Sequence, residues 1–218
     1  MLHGSAAQLD AAQPWLPLHR RLTAPAGRRY LVGWTAPREL HCLAPRRLAR
    51  RASNVEGSLE LLMLAPAALF ARRVVGEANE RLPPPFGPRS FRRYLRWGWL
   101  VEGAAQWFSG QAAHVRPAVA RRMRDGPPPA FPPTLADAAL LGGTLFSLLA
   151  RLEGEAACVR LATAAGAPSP QAALTAAFDG RQARHVEPVW RAELDRLAFG
   201  GTRDDELRAR RRERRTRR

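Results

Sequence analysis

Between Glu80 and Asp125 the chain has a single acidic residue, Glu102, and it falls inside the most aromatic stretch of the sequence. That stretch, Trp97-Gly98-Trp99-Leu100-Val101-Glu102-Gly103-Ala104-Ala105-Gln106-Trp107-Phe108, holds three of the six tryptophans. Phe91, Tyr94, Leu95, Val101, Ala105 and Phe108 recur at three- and four-residue steps. This spacing predicts a helix from Phe91 to about Gln111, capped by Ser90. Glu102 lies within the apolar pattern, flanked by Gly98 and Gly103. A glycine inside a helix costs up to about 1 kcal/mol relative to alanine, so the close approach of another backbone is the expected compensation. Any fold of this chain therefore has to place a carboxylate against a neighbouring element and give it a partner there.

The rest of the chain is read around that helix. Residues 1–27, with Pro14, Pro17 and Pro25, read as a loosely ordered lead-in. Residues 29–34 and 39–43 read as short strands joined by a turn at Thr35-Ala36-Pro37-Arg38. Pro45 opens a short basic helix. Leu59–Leu64 is a short apolar run taken as a buried strand, because Pro66 disfavours the helical region for Ala65. A helix then runs from Pro66 to Ala78, and Pro83–Pro88 forms a stiff loop. Further helices follow over 116–124, over 138–152 with Asp137 as cap (or from Thr144, since Gly142-Gly143 weakens the start), from 153 or 154 to 164, over 169–178 with Ser169 as cap and Pro170 first, and over 187–198. Gly200-Gly201 closes the fold, and an Arg-rich tail of residues 199–218 follows. The expected fold class is α+β: a small N-terminal sheet of two or three strands, then a mostly helical body, with residues 28–198 as one domain.

The segment Trp99-Leu100-Val101-Glu102-Gly103-Ala104-Ala105-Gln106-Trp107 resembles the second zinc-ligand motif of gluzincin metallopeptidases, the peptidase MA-like group. In that motif, Trp-Leu-x-Glu-Gly-x-Ala-x-aromatic, the Glu is the third zinc ligand and sits on a helix packed against the one bearing His-Glu-x-x-His. Later segments, from Leu145–Ala150 to Trp190–Leu194, are similar to the helical half of such domains. The resemblance implies a relic site at Glu102, Trp99 and Gly103. It also implies that the helix facing Glu102 is Pro66–Ala78. That helix carries no histidine, and no His-Glu-x-x-His occurs anywhere in the chain. A catalytic zinc needs three protein ligands and an open position, so the resemblance implies a degenerate, non-catalytic member without metal or other cofactor. The facing helix carries Arg72 and Arg73 instead, and one of them is expected to occupy the vacated metal position and pair with Glu102.

Charge adds a second reading. All 35 basic residues are arginine and the net charge is +16. Nine arginines lie in Arg203–Arg218 against four acids, a net +5. Such a balance favours contact with nucleic acid or anionic surfaces, and Trp97, Trp99, Trp107 and Phe108 beside Arg92, Arg93 and Arg96 would suit stacking on single-stranded bases. The plainer reading of those aromatics is a packed core with arginine stems lying over it. His41-Cys42, His114 and His185 lack ligand partners at metal spacing, and Gly142-Gly143-Thr144 is not a phosphate loop. Cys42 and Cys158 suggest free thiols in a reducing compartment. No secretory signal and no membrane-spanning run are read, so a cytoplasmic setting is expected. The function classes left are a binding or structural domain with a protein or peptide partner, a nucleic-acid-associated protein acting through its tail, and, as a minor alternative, a hydrolase with relocated catalytic residues.

Overall fold

The computed structural model describes residues 1–36, 38–79 and 88–216, with side chains as far as residue 199 apart from those of Pro88 and Ser90. Pro37, residues 83–87 of the expected stiff loop, and the arginine side chains of the tail lie outside the described residues. The chain begins with β1 (Leu2–His3), α1 (Ala6–Ala12), α2 (Trp15–Leu22), α3 (Pro25–Arg28), β2 (Gly33–Thr35) and β3 (Leu40–Leu43). Next come α4 (Pro45–Arg51), α5 (Ser58–Met63), α6 (Ala65–Ala78) and α7 (Pro88–Phe108). After a 3-10 turn over Gln111–His114 come α8 (Arg116–Asp125), α9 (Leu135–Glu153), α10 (Glu155–Ala162), α11 (Pro170–Ala177) and α12 (Ala183–Thr216). The described residues are thus mostly helical, with one three-stranded mixed sheet of order β1-β3-β2 near the start.

Several local expectations are corrected. Residues 1–27 are not loosely ordered: β1 pairs in parallel with β3, and Leu9 of α1 and Leu16 of α2 are fully buried under the sheet's apolar cluster. Ser5 caps α1, accepting from the Gln8 amide, and the prolines sit at helix starts or in the first turn of α2, where no intrahelical N–H bond is lost. Leu59–Leu64 is helical rather than extended. Gly57, at φ 84°, turns the chain into α5, whose Ser58, Leu61 and Leu62 face inward at helical spacing. Pro66 occupies the second position of α6, where its missing N–H costs nothing. Of the first expected strand only Gly33 and Trp34 join the sheet, together with Thr35 of the expected turn. Helix α7 starts at Pro88, so Ser90 lies within it. Helix α12 continues through Gly200-Gly201 to Thr216, so the glycines do not end the fold's last helix.

Helix α9 is the centre of the body. It runs unbroken through Gly142-Gly143, starts after Thr134, and packs along α7 on one side and α10 and α12 on others. By length and composition it could cross a membrane, but 67% of that window is buried inside the protein, as in a core helix. Asp137 does not cap it. Instead its carboxylate takes both arms of the Arg122 guanidinium, at 2.5 and 2.8 Å, and Arg122 also donates to the Pro127 carbonyl at 2.9 Å. This buried fork ties α8 and the proline loop to the first turn of α9. Trp190 of α12 donates its indole N–H to Thr144 at 2.9 Å, closing the other side.

Candidate functional site

Glu102 is buried, with 3% of its surface exposed, on the face of α7 that meets α6. Both carboxylate oxygens are engaged. Arg72 of α6 donates Nη2–H to Oε2, and the Tyr94 hydroxyl, two turns earlier on α7, donates to Oε1. Arg73, the next residue, turns outward and pairs with Glu77 and with the Ala36 carbonyl at 3.0 Å. Of the two candidate partners it is therefore Arg72 that reaches Glu102. The reason is helical: residues 72 and 73 differ by 100° around the axis, so only one can face α7. Burial works against the Arg72 charge, but Glu102 and Tyr94 more than offset it and raise the guanidinium's pKa. Burial and the Glu102 charge push the Tyr94 phenol well above its ordinary value.

The other two positions of the motif, Trp99 and Gly103, lie about 60° and 100° around α7 from Glu102 and meet α9. Gly103 lies against Gly142 of α9, where an added Cβ would come within 2.7 Å of the Gly142 carbonyl carbon and oxygen. The Trp99 carbonyl lines the same crossing, 2.8 Å from a Cβ built on Gly142. Gln106, one helical turn after Glu102, accepts from the Gly143 amide at 2.7 Å and donates to the Ala138 carbonyl at 3.2 Å. The close backbone approach expected from the glycines is thus found at Gly103, whereas Gly98 meets side chains, those of Leu135 and Tyr94.

One participant was missed from the sequence. His19 of α2 is fully buried, with its ring edge-on to Trp34 at 5.7 Å and to Tyr94 at 5.6 Å. Both ring nitrogens lack a partner among the described residues. Burial pushes its pKa down to about 4, the Glu102 charge pulls it up, and Arg72 and Arg20 lower it again. The signal was present as Leu16 and His19, buried at helical spacing on α2, with buried Thr23 just after it, but Pro14 and Pro17 made that segment read as irregular. A histidine held neutral stabilises the fold fully above its unfolded pKa of 6.5. As pH falls towards about 4 the unfolded chain takes up the proton first, and about 3 kcal/mol is lost. His19→Leu should abolish that part of the acid loss in urea unfolding measured at neutral and mildly acidic pH. A variant as acid-sensitive as the parent would count against the assignment.

The remaining space is small. A cleft of about 40 Å³ lies beside Glu102 and Arg72, lined also by Gly33, Gln106 and Gln111. It has room for about two or three waters, not for a peptide side chain. Zinc, which the family resemblance would imply, does not fit these residues: the guanidinium of Arg72 faces the one motif carboxylate, and no group of three His, Cys, Asp or Glu among the described residues could hold a metal ion. Cys42 and Cys158 are buried free thiols, both pushed up to about 11 by burial, and so are poor nucleophiles. His41 meets His3 and Glu39, and His114 ends the 3-10 turn; neither joins the Glu102 cluster. Trp97 and Trp99 are buried core residues with Trp107 packed against them, so they do not offer a stacking surface, while Phe108 is 46% exposed. Compared with known proteins, the chain matches no family model, no curated protein and no solved structure.

Proposed function

We propose that the chain is a non-catalytic, metallopeptidase-like domain with a binding or structural role, in which the Arg72 guanidinium stands where a gluzincin holds its metal. The observation that carries this reading is the buried Arg72–Glu102 pair, completed by Tyr94. Each carboxylate oxygen already accepts a hydrogen bond, and the guanidinium charge beside Glu102 repels a metal ion from it. The tight crossing at Gly103 and the bonds of Gln106 give the other motif positions a packing role that is independent of catalysis. In this reading the α7 motif persists because it organises the core, and the protein acts through its surface towards a protein or peptide partner.

The test is metal analysis of the purified protein together with peptidase assays. Sub-stoichiometric zinc, unchanged by chelator, and no peptide hydrolysis are the expected results. Stoichiometric zinc that is lost to chelator with a drop in thermal stability would overturn the reading. Nucleic-acid retention that falls steeply with salt and disappears when residues 199–218 are removed would favour the tail-based alternative instead.

A further inference from the structure

We propose that His3 and His41 form an acid-operated latch that holds β1 on β3. The strand is only two residues long, and so short a strand is marginal on its own. Beyond the two ladder pairs, the Met1 amino group donates to the Leu40 carbonyl at 2.6 Å, the Cys42 amide to the Met1 carbonyl at 3.0 Å and the Ala44 amide to the His3 carbonyl at 2.9 Å. The register sets Leu2 opposite Cys42 and His3 opposite Leu43, which puts His3 diagonal to His41 on one face of the sheet.

The two rings meet there. His3 Nε2 lies 3.0 Å from His41 Nδ1, the ring centroids are 5.2 Å apart, and the planes are within 17°. The centroid separation exceeds the nitrogen separation by about one ring radius at each end. The imidazoles therefore meet edge to edge in nearly one plane, in the geometry of a single proton between two nitrogens. Both residues are buried, at 9% and 6% exposure. The Glu39 carboxylate lies 3.3 Å from the far nitrogen of His41, Nε2, and its negative charge favours the tautomer with the proton on that nitrogen. His41 Nδ1 is then the acceptor and His3 Nε2 the donor.

This arrangement tolerates one added proton and not two. Protonating His3 leaves its Nε2–H donating, now with a charge behind it. Protonating His41 at Nδ1 as well sets two N–H groups and two positive charges face to face. Among the described residues, the charges that act on His41 besides His3 are the Glu39 carboxylate just before β3, which favours protonation, and the Met1 amino group just before β1, which opposes it. On α1, Asp10 is tied to Arg20, and β2 presents the uncharged Trp34 opposite His41. Burial first and then His3 lower the His41 pKa. The latch energy is therefore fully present above pH 6.5 and is lost as pH falls through the lowered value. With the second proton β1 leaves β3 and bares an unpaired strand edge, a surface open to another strand.

Hydrogen exchange on the full chain, read as protection factors from neutral pH to about pH 5, tests this. The Cys42 and Ala44 amides should lose about tenfold or more protection on the acid side while amides of α7 and α9 keep theirs. In His41→Gln, and separately in His3→Gln, the pH dependence at those two amides should vanish. Protection at Cys42 and Ala44 that is independent of pH, or an acid loss that persists in both variants, overturns the proposal. A loss that occurs at all amides together also overturns it, because it would belong to global unfolding through His19.

Discussion

Glu102→Ala is expected to destabilise the protein by about 3–5 kcal/mol, read as a shift in the urea midpoint with an unchanged slope. The removed carboxylate is the acid paired to Arg72, whose side chain is 11% exposed between α6 and α7. Without it the guanidinium stays in a low-dielectric site with its charge uncompensated, and its Nε already lacks a hydrogen-bond partner among the described residues. The Tyr94 hydroxyl loses its acceptor in the same step. Most of the expected cost therefore comes from the groups left behind rather than from the intrinsic value of the pair. The double variant Arg72→Met, Glu102→Leu separates the two. It removes both charges while keeping apolar volume, and should recover most of the loss, since a buried pair replaced by well-packed apolar residues is often neutral. A Glu102→Ala cost under about 1 kcal/mol would mean that water reaches Arg72 freely and that the pair does not fill a closed metal position.

That pair also marks how far the sequence could be read. The helical spacing around Glu102, the isolated acid in an Arg-rich stretch and the two arginines on the facing helix were all visible. Which arginine faced inward was not, because the choice depends on the rotation of α6 about its axis, and that is set by packing. Ser169 as the cap of α11 was legible because a Ser-Pro start has a local cause, and the Ala172 amide does bond to it. Asp137 as the cap of α9 was read by the same rule and is wrong, because a buried guanidinium fifteen residues away outbids a local N–H for the carboxylate. The N-terminal segment failed for a related reason. Its prolines punctuate three short helices, and their burial comes from the sheet they cover, a non-local contact. His19 was therefore invisible as part of the Glu102 cluster, although its burial makes it responsive to acid.

Gly103→Ala should cost about 3 kcal/mol in the same unfolding measurement, although alanine is the better helix former by about 1 kcal/mol. The new methyl would stand 2.7 Å from the carbonyl carbon and oxygen of Gly142, with the Phe146 ring at 3.0 Å. A backbone obstacle cannot rotate away, so α9 has to move from α7 as a body. The displacement loads the Gln106 bond to the Gly143 amide and the Trp190 bond to Thr144, which both hang on α9. Gly98→Ala is the control on the same helix. Its methyl would meet the Leu135 Cδ1 at 2.5 Å, the end of a side chain that can change rotamer. There the gain in helix propensity offsets the adjustment, and stability should stay within about 1 kcal/mol of the parent. Equal costs at the two glycines would mean that flexibility of the α7 backbone governs both. Unequal costs in the expected order would assign Gly103, a position shared with the zinc-ligand motif it resembles, to the contact between two helix backbones.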